Sequence, residues 1–288
     1  MGNELIIYSG HISPIYIELQ YKSIKKFIKN FTYIVINDAV GESHMDKKCL
    51  DLSVNFDKIN EVCKKLNIKC IEFDINIHKK HMTPNPCNRC ADVTQFINDH
   101  CYNNYNEGFL MILDSDMFFL KEFDVEKYMR EYHCSGIIHD LTNYDNRSII
   151  TNKKYGYFWN ALFILNLKYI NYLKELDWRP GKPTVDGKKC NSDGILFHGD
   201  VGAYTNTFVK NNIDKIKKIP TEETSKINNK LYSLHVNFEK NKIQKYRQLL
   251  LDESIIHLMR GGNWDCKTEN YIETQINILS EFFEKKIL

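Results

Sequence analysis

The chain has 288 residues, 43% of them hydrophobic, and its 39 Lys and Arg nearly cancel its 37 Asp and Glu. That length and apolar content can bury a large core, as one α/β domain or two closely packed halves, and the balanced charge offers no footprint for nucleic acid or a membrane surface. No apolar run approaches the roughly 20 residues of a membrane span, and residues 1–9 carry no basic stretch before an apolar core, so a soluble intracellular protein acting on a small ligand is expected.

In chain order, Leu5 to Tyr8 reads as a short strand. Ile15 to Phe31 has helical spacing, with Ser13 as cap and Pro14 as first helical residue, and Tyr33 to Asn37 is a second strand closing on Asp38. Asp57 to Leu66 follows as a helix, Ile68 to Phe73 as a third strand, and Pro86 to Tyr105 as a helix whose first turn holds Asn88 and Arg89. This alternation predicts a largely parallel sheet with helices on both faces, and ligands of such sheets bind beyond the carboxyl ends of the strands. Tyr8, Ser9 and Asp38 are expected at those ends. His78, His81, Cys87 and Cys90 are four zinc-type ligands at a non-standard spacing, to be weighed against solvated histidines and packed thiols. The nine cysteines, odd in number and scattered, read as reduced thiols.

The fourth strand carries the strongest signal. The apolar run from Phe109 stops at Asp114-Ser115-Asp116 and turns apolar again to Leu120. An unpaired buried carboxylate costs more than a short strand returns, so both acids should sit at the strand's end facing a cation, and oxygen ligands suit Mg²⁺ or Mn²⁺. A plain polar turn is the competing reading, since Asp and Ser are ordinary turn residues.

The second half is less regular. Tyr157 to Asn166 is apolar except at Asn160, which is either a buried amide needing partners or a turn before a strand. A Pro/Gly-rich loop spans 179–194. Ser192-Asp193-Gly194 and His198-Gly199-Asp200 put carboxylates and glycines around a short apolar stretch, as a ligand site or as solvated loop charge. Ser254 to Trp264 reads as a strand ending at His257, followed by Gly261, Gly262, Asn263 and Trp264; such a His can complete a metal's coordination, and the amides after it can cradle phosphate. His235 ends another short apolar stretch and is a rival ligand. Ile272, Ile276, Leu279, Phe282 and Phe283 recur at helical spacing, for core packing or for a contact in a homo-oligomer.

Taken together, the β-α-β start, Asp114-Ser115-Asp116, the Trp159 to Asn166 segment, Ser192-Asp193-Gly194 and the late His257 with Gly261 to Trp264 resemble the GT-A glycosyltransferases of the glycogenin and lipopolysaccharide galactosyltransferase type. The resemblance implies one α/β, GT-A-like domain over 1–288. Residues 1–150 would form a nucleotide-sugar-binding half around a mostly parallel, Rossmann-like sheet, and 151–288 an acceptor-side half with a C-terminal helix. It implies a UDP-sugar donor held through Mn²⁺ or Mg²⁺ by Asp114, Asp116 and His257. Tyr8, Ser9 and Asp38 would face base and ribose, Arg89 and Ser115 the donor sugar or phosphate, and Gly261, Gly262, Asn263 and Trp264 the diphosphate. Asn160 and Asp193 would position acceptor or donor sugar, with Asp193 or Asp200 as base if configuration inverts. The acceptor would be a glycan, a protein or a lipid-linked sugar, met in the cytoplasm, or in the host cytoplasm if the source is viral.

The pattern departs from that type at Asn160-Ala161-Leu162, where a glycine is usual in third place, and at Arg260 and Lys267, where one lysine usually follows the glycine. A haloacid dehalogenase-type phosphatase also uses Asp-x-Asp after a strand, but it begins near the N-terminus and carries Thr or Val where Phe118 stands. A sugar nucleotidylyltransferase would need a Gly-rich signature that Ser9 to Pro14 lacks. A non-catalytic carbohydrate-binding or scaffold protein on a transferase fold is the third alternative.

Overall fold

The computed structural model describes residues 3–41, 52–79, 86–139, 156–180, 201–220, 222–223, 247–258 and helical positions at 273, 276–277, 279–281 and 283–284. The elements run β1 (Leu5–His11), α1 (Ile17–Phe27), β2 (Phe31–Asn37), α2 (Leu52–Leu66), β3 (Lys69–Glu72), α3 (Ile75–His78), α4 (Pro86–Asn104), β4 (Phe109–Leu113), β5 (Met117–Phe119), α5 (Val125–Met129), β6 (Cys134–His139), β7 (Tyr157–Asn166), α6 (Tyr172–Glu175), α7 (Asn206–Asn212), β8 (Ile216–Lys218), β9 (Glu222–Glu223), β10 (Arg247–Leu250) and β11 (Ile255–Leu258).

Seven strands form a central sheet in the order β3-β2-β1-β4-β7-β6-β8. Only β7 runs against the rest, so the mostly parallel α/β sheet expected from the alternation is the one found. Both faces are covered, which is why β1, β2 and β4 read as unbroken apolar runs rather than alternating ones. Leu5, Ile7, Val35 and Met111 pack with α1 and α2 on one face. Ile6, Tyr8, Ile34 and Leu110 pack with α4, α6 and α7 on the other.

Several boundaries differ from the sequence reading. α1 begins at Ile17 after Tyr16, and Ser13 accepts only a long bond from the Ile15 amide, so the expected Ser-Pro cap is not the helix start. The helix stops at Phe27 because Ile28 is extended and Asn30 turns the chain at φ 52°, feeding β2 two residues earlier than expected. β1 continues past Tyr8 to His11, paired with Asn37.

The largest difference lies at the Asp-x-Asp segment. β4 and β5 belong to different sheets, with Asp114 to Asp116 at the crossing. β5 joins a second sheet in the order β5-β11-β10-β9, and both Phe118 and Phe119 are fully buried there. Near the C-terminus, Leu279 and Phe283 are buried in the α1-side core, with the Phe27 and Phe283 rings 6.3 Å apart, as the core-packing reading of that stretch expects. Ile272 and Phe282 lie outside the described residues. No helix among the described residues is long and apolar enough to cross a membrane.

The start of β4 depends on Gly108. Its φ of +89° is left-handed, and an added Cβ would stand 2.5 Å from the Glu4 carbonyl, which accepts the Phe109 amide. Gly108→Ala is therefore expected to cost about 1–3 kcal/mol in urea unfolding; a loss below about 0.5 kcal/mol, the range of a neutral surface change, would contradict it.

Candidate active site

The chain leaves β4 through a tight turn in which the Met117 amide bonds back to the Asp114 carbonyl at 3.1 Å. Asp114 is pinned at both ends, its amide donating to Ala161 O at 2.8 Å and its Oδ1 accepting from the Ser115 amide at 2.8 Å. β5 then pairs antiparallel with β11, setting Met117 opposite His257, and the Leu258 amide donates to the Asp116 carbonyl at 3.0 Å. That pairing brings together residues far apart in sequence. His257 Nε2 lies 3.2 Å from Asp116 Oδ1, and ligand atoms of Asp114, Asp116 and His257 all fall within 4.8 Å of one another. Among the described residues this is the one group of three or more such side chains able to hold a metal ion.

Asp116 and His257 are buried and Asp114 half-buried. Burial, then the Asp116 charge, pushes the Asp114 carboxyl up to about 7, against the pull of His257 and the Ser115 amide. Burial disfavours the imidazolium of His257, but the Asp116 and Asp114 charges outweigh it and raise that pKa. Asp116 Oδ1 is buried and short of an aligned hydrogen-bond partner, with His257 Nε2 in ion-pair contact at 3.2 Å. A buried carboxylate oxygen in that state, beside a second acid and an imidazole nitrogen, fits a divalent cation of the Mn²⁺ or Mg²⁺ kind. The Trp159 ring stands 5.3 Å from the His257 ring and stacks on His139 at 5.2 Å, walling one side.

The structure explains the place of Asn160 in an apolar run. Successive β6 residues Gly136 and Ile137 face Phe163 and Trp159, so residues 160–162 bulge out of that ladder rather than forming a turn before it. Ala161 thereby meets Asp114, and Asn160 Nδ2 donates to Thr94 Oγ1 on α4 at 3.3 Å. Thr94 in turn donates to the Cys90 carbonyl at 2.8 Å. Burial, then the charges of Asp114 and Asp38, push the Cys90 thiol pKa up. Cys90 and Thr94 are four apart on one helical face, a signal legible only once α4 is known to flank the acids.

Asp38 and Arg89, singled out separately in the sequence, are bonded to each other. Arg89 is buried; its Nε donates to Asp38 Oδ2 at 2.7 Å, and its Nη2 donates to the Asp38 carbonyl and to Val40 O at 2.8 Å. His78 Nε2 contacts Asp38 Oδ1 at 2.8 Å and Nδ1 contacts Asp92 Oδ2 at 2.9 Å, with the ring stacked on Phe73. With a carboxylate on each nitrogen, His78 sits in an ion cluster with Asp38 and Asp92; His81 lies outside the described residues. Tyr8 is buried within β1 on the α4 side, its hydroxyl 2.7 Å from His100 Nδ1, and Ser9 is buried one residue on. Neither is at the strand's end, because Gly10 and His11 extend the ladder. Asp193, Asp200, His235, Gly261, Gly262, Asn263 and Trp264 lie outside the described residues.

No protein-family model and no curated protein sequence matches the chain. Solved structures do. The chain is similar to the galactosyltransferase LgtC in complex with donor and acceptor sugar analogues, at 11% identity over 98% of this chain and 95% of that one, with a TM-score of 0.47. It is also similar to the glycosyltransferase GlyE of Streptococcus pneumoniae, at 13% identity over 99% and 64% of the two chains and a TM-score of 0.42. Mouse xyloside xylosyltransferase 1 in its apo form is similar at 10% identity over 76% and 85%, with a TM-score of 0.40.

The Asp38 cluster carries its own pH signature. Burial disfavours the charged His78 ring, but bonds to Asp38 and Asp92 outweigh it and raise the pKa above 6.5. A raised folded-state pKa contributes stability that is complete below 6.5 and is lost as pH climbs through the folded value. In urea titrations from about pH 5 to about pH 9, the stability advantage of wild type over His78→Gln should shrink as pH rises; a constant or growing gap would refute the charged cluster.

Proposed function

We propose that this protein is a metal-dependent glycosyltransferase that moves a sugar from a nucleotide-sugar donor, a UDP-sugar foremost, to a glycan, protein or lipid-linked acceptor in the cytoplasm. The observation that carries the reading is the convergence of Asp114, Asp116 and His257, with a buried Asp116 oxygen lacking an aligned hydrogen bond. Glycosyl transfer separates an anomeric carbon from a diphosphate whose charge grows as the bond breaks, so the chemistry demands positive charge at that spot. A bound Mn²⁺ or Mg²⁺ supplies it as a Lewis acid.

The chain's own residues divide the remaining work. Asp114, Asp116 and His257 hold the cation. Asn160, presented by the β7 bulge, and Ser115 orient the donor sugar. Asp38, clamped by Arg89 and His78, fixes the loop after β2 beside the nucleotide, so Arg89 acts through Asp38. Gly261 to Trp264, with Arg260 and Lys267, receive the departing diphosphate. Asp193 positions the acceptor or serves as base, with Asp200 second.

The test is a panel of nucleotide sugars with and without EDTA, read as released nucleoside diphosphate. At least one donor, a UDP-sugar first, should be turned over only with Mn²⁺ or Mg²⁺. Asp116→Ala should lower that signal by at least about 100-fold, beyond the 10–100-fold typical of outer-shell changes, with far-UV circular dichroism unchanged. Absence of metal-dependent turnover or binding with every donor would overturn the proposal.

A further inference from the structure

Helix α1 buries two polar residues, Gln20 and Ser23, on a face otherwise lined by Ile17, Leu19, Ile24 and Phe27. Burying an amide without partners is costly, so a fully buried glutamine among aliphatics needs a compensating set of bonds. Gln20 has one at every position. Its Nε2 donates to the Asp114 carbonyl at 2.8 Å and to the Met117 carbonyl at 2.9 Å, the two ends of the turn that carries Ser115 and Asp116. Its Oε1 accepts from the Tyr33 hydroxyl at 2.5 Å and lies 3.3 Å from His11 Nε2. Both carbonyls can only accept, so the amide has one orientation that works, and a flip would set oxygen against oxygen. One helical turn on, Ser23 Oγ accepts from the Phe119 amide at 3.2 Å, fastening β5 to the same helix.

We propose that Gln20 is a positioning residue for the metal site. By gripping both ends of the Asp114 to Met117 turn, it fixes the separation and tilt at which Asp114 and Asp116 present their carboxylates to a divalent cation. The inference rests on the metal-dependent reading above. Outer-shell bonds of this kind commonly govern metal affinity by 10–100-fold, because a ligand set held loosely pays for its ordering when the ion binds.

The experiment measures the dissociation constant of Mn²⁺ alone with full-length protein, by calorimetry and by the electron paramagnetic resonance of bound Mn²⁺. Gln20→Leu removes both donors, and Gln20→Glu keeps the shape but turns an oxygen toward two carbonyls. Each should weaken Mn²⁺ about 10- to 100-fold and broaden the bound-ion spectrum in protein that still unfolds cooperatively. Ile24→Val, on the same buried face with an apolar side chain that can bond neither carbonyl of the turn, should lower the urea midpoint and leave Mn²⁺ affinity within about twofold. If neither Gln20 variant folds, Tyr33→Phe, which deletes one bond to Oε1, is expected to weaken Mn²⁺ by about threefold to tenfold. A folded Gln20 variant that binds Mn²⁺ within twofold of wild type overturns the inference alone, as does an Ile24→Val loss equal to that of Gln20→Leu or, when it carries the test, an unaffected Tyr33→Phe. A wild-type protein that binds no Mn²⁺ overturns the metal-site reading and this inference with it.

Discussion

The antiparallel pairing of β5 with β11 is the contact on which the site depends. It is a three-residue match, Met117 to Phe119 against His257 to Ile255, yet it closes a loop of more than a hundred residues. Such closure is entropically expensive and is offset here by Phe118, Phe119, Ile255 and Ile256, all nearly inaccessible to solvent. Once those side chains are buried, the position of His257 is no longer a matter of local preference. It stands where the ladder puts it, beside Asp116.

Two acidic clusters lie at this end of the sheet and they are electrically unlike. Around Asp38 the charges are internally matched, with Arg89 reaching both carboxylate oxygens, His78 sharing one of them, and Asp92 behind His78. Around Asp116 they are not. Two acids face one imidazole; burial and then the Asp116 charge raise the Asp114 pKa, and the two acids raise that of His257 against burial. That imbalance is what the proposed divalent cation would relieve, and it sets this cluster apart from the matched one around Asp38.

How much of this was legible beforehand follows from the range of the forces involved. The β-α-β alternation, the apolar strands and the importance of Asp114 and Asp116 show in local periodicity and in the oddity of acids within an apolar run. His257 could be nominated from its strand, but its meeting with Asp116 is a product of strand pairing, which periodicity does not encode. The division of the Phe109 to Leu120 run between two sheets was hidden for the same reason, as both halves are equally apolar. Arg89 and Asp38 were singled out separately, without the mutual bond that ties them. Gln20 gave no signal because an amide in an amphipathic helix is usually at the surface, and only its depth shows otherwise.

The hairpin between β10 and β11 turns through Leu251, Asp252 and Glu253, three consecutive non-glycine residues in left-handed conformation at φ 51°, 52° and 63°. A reversal that tight leaves no slack to absorb an inserted or deleted residue. Because side chains alternate across a strand, a one-residue slip there would carry the imidazole to the far side of the sheet with Asp114, Asp116 and His257 all still present in the sequence. The length of this small hairpin is thus an address for the proposed metal site, written outside the three residues that would hold the ion.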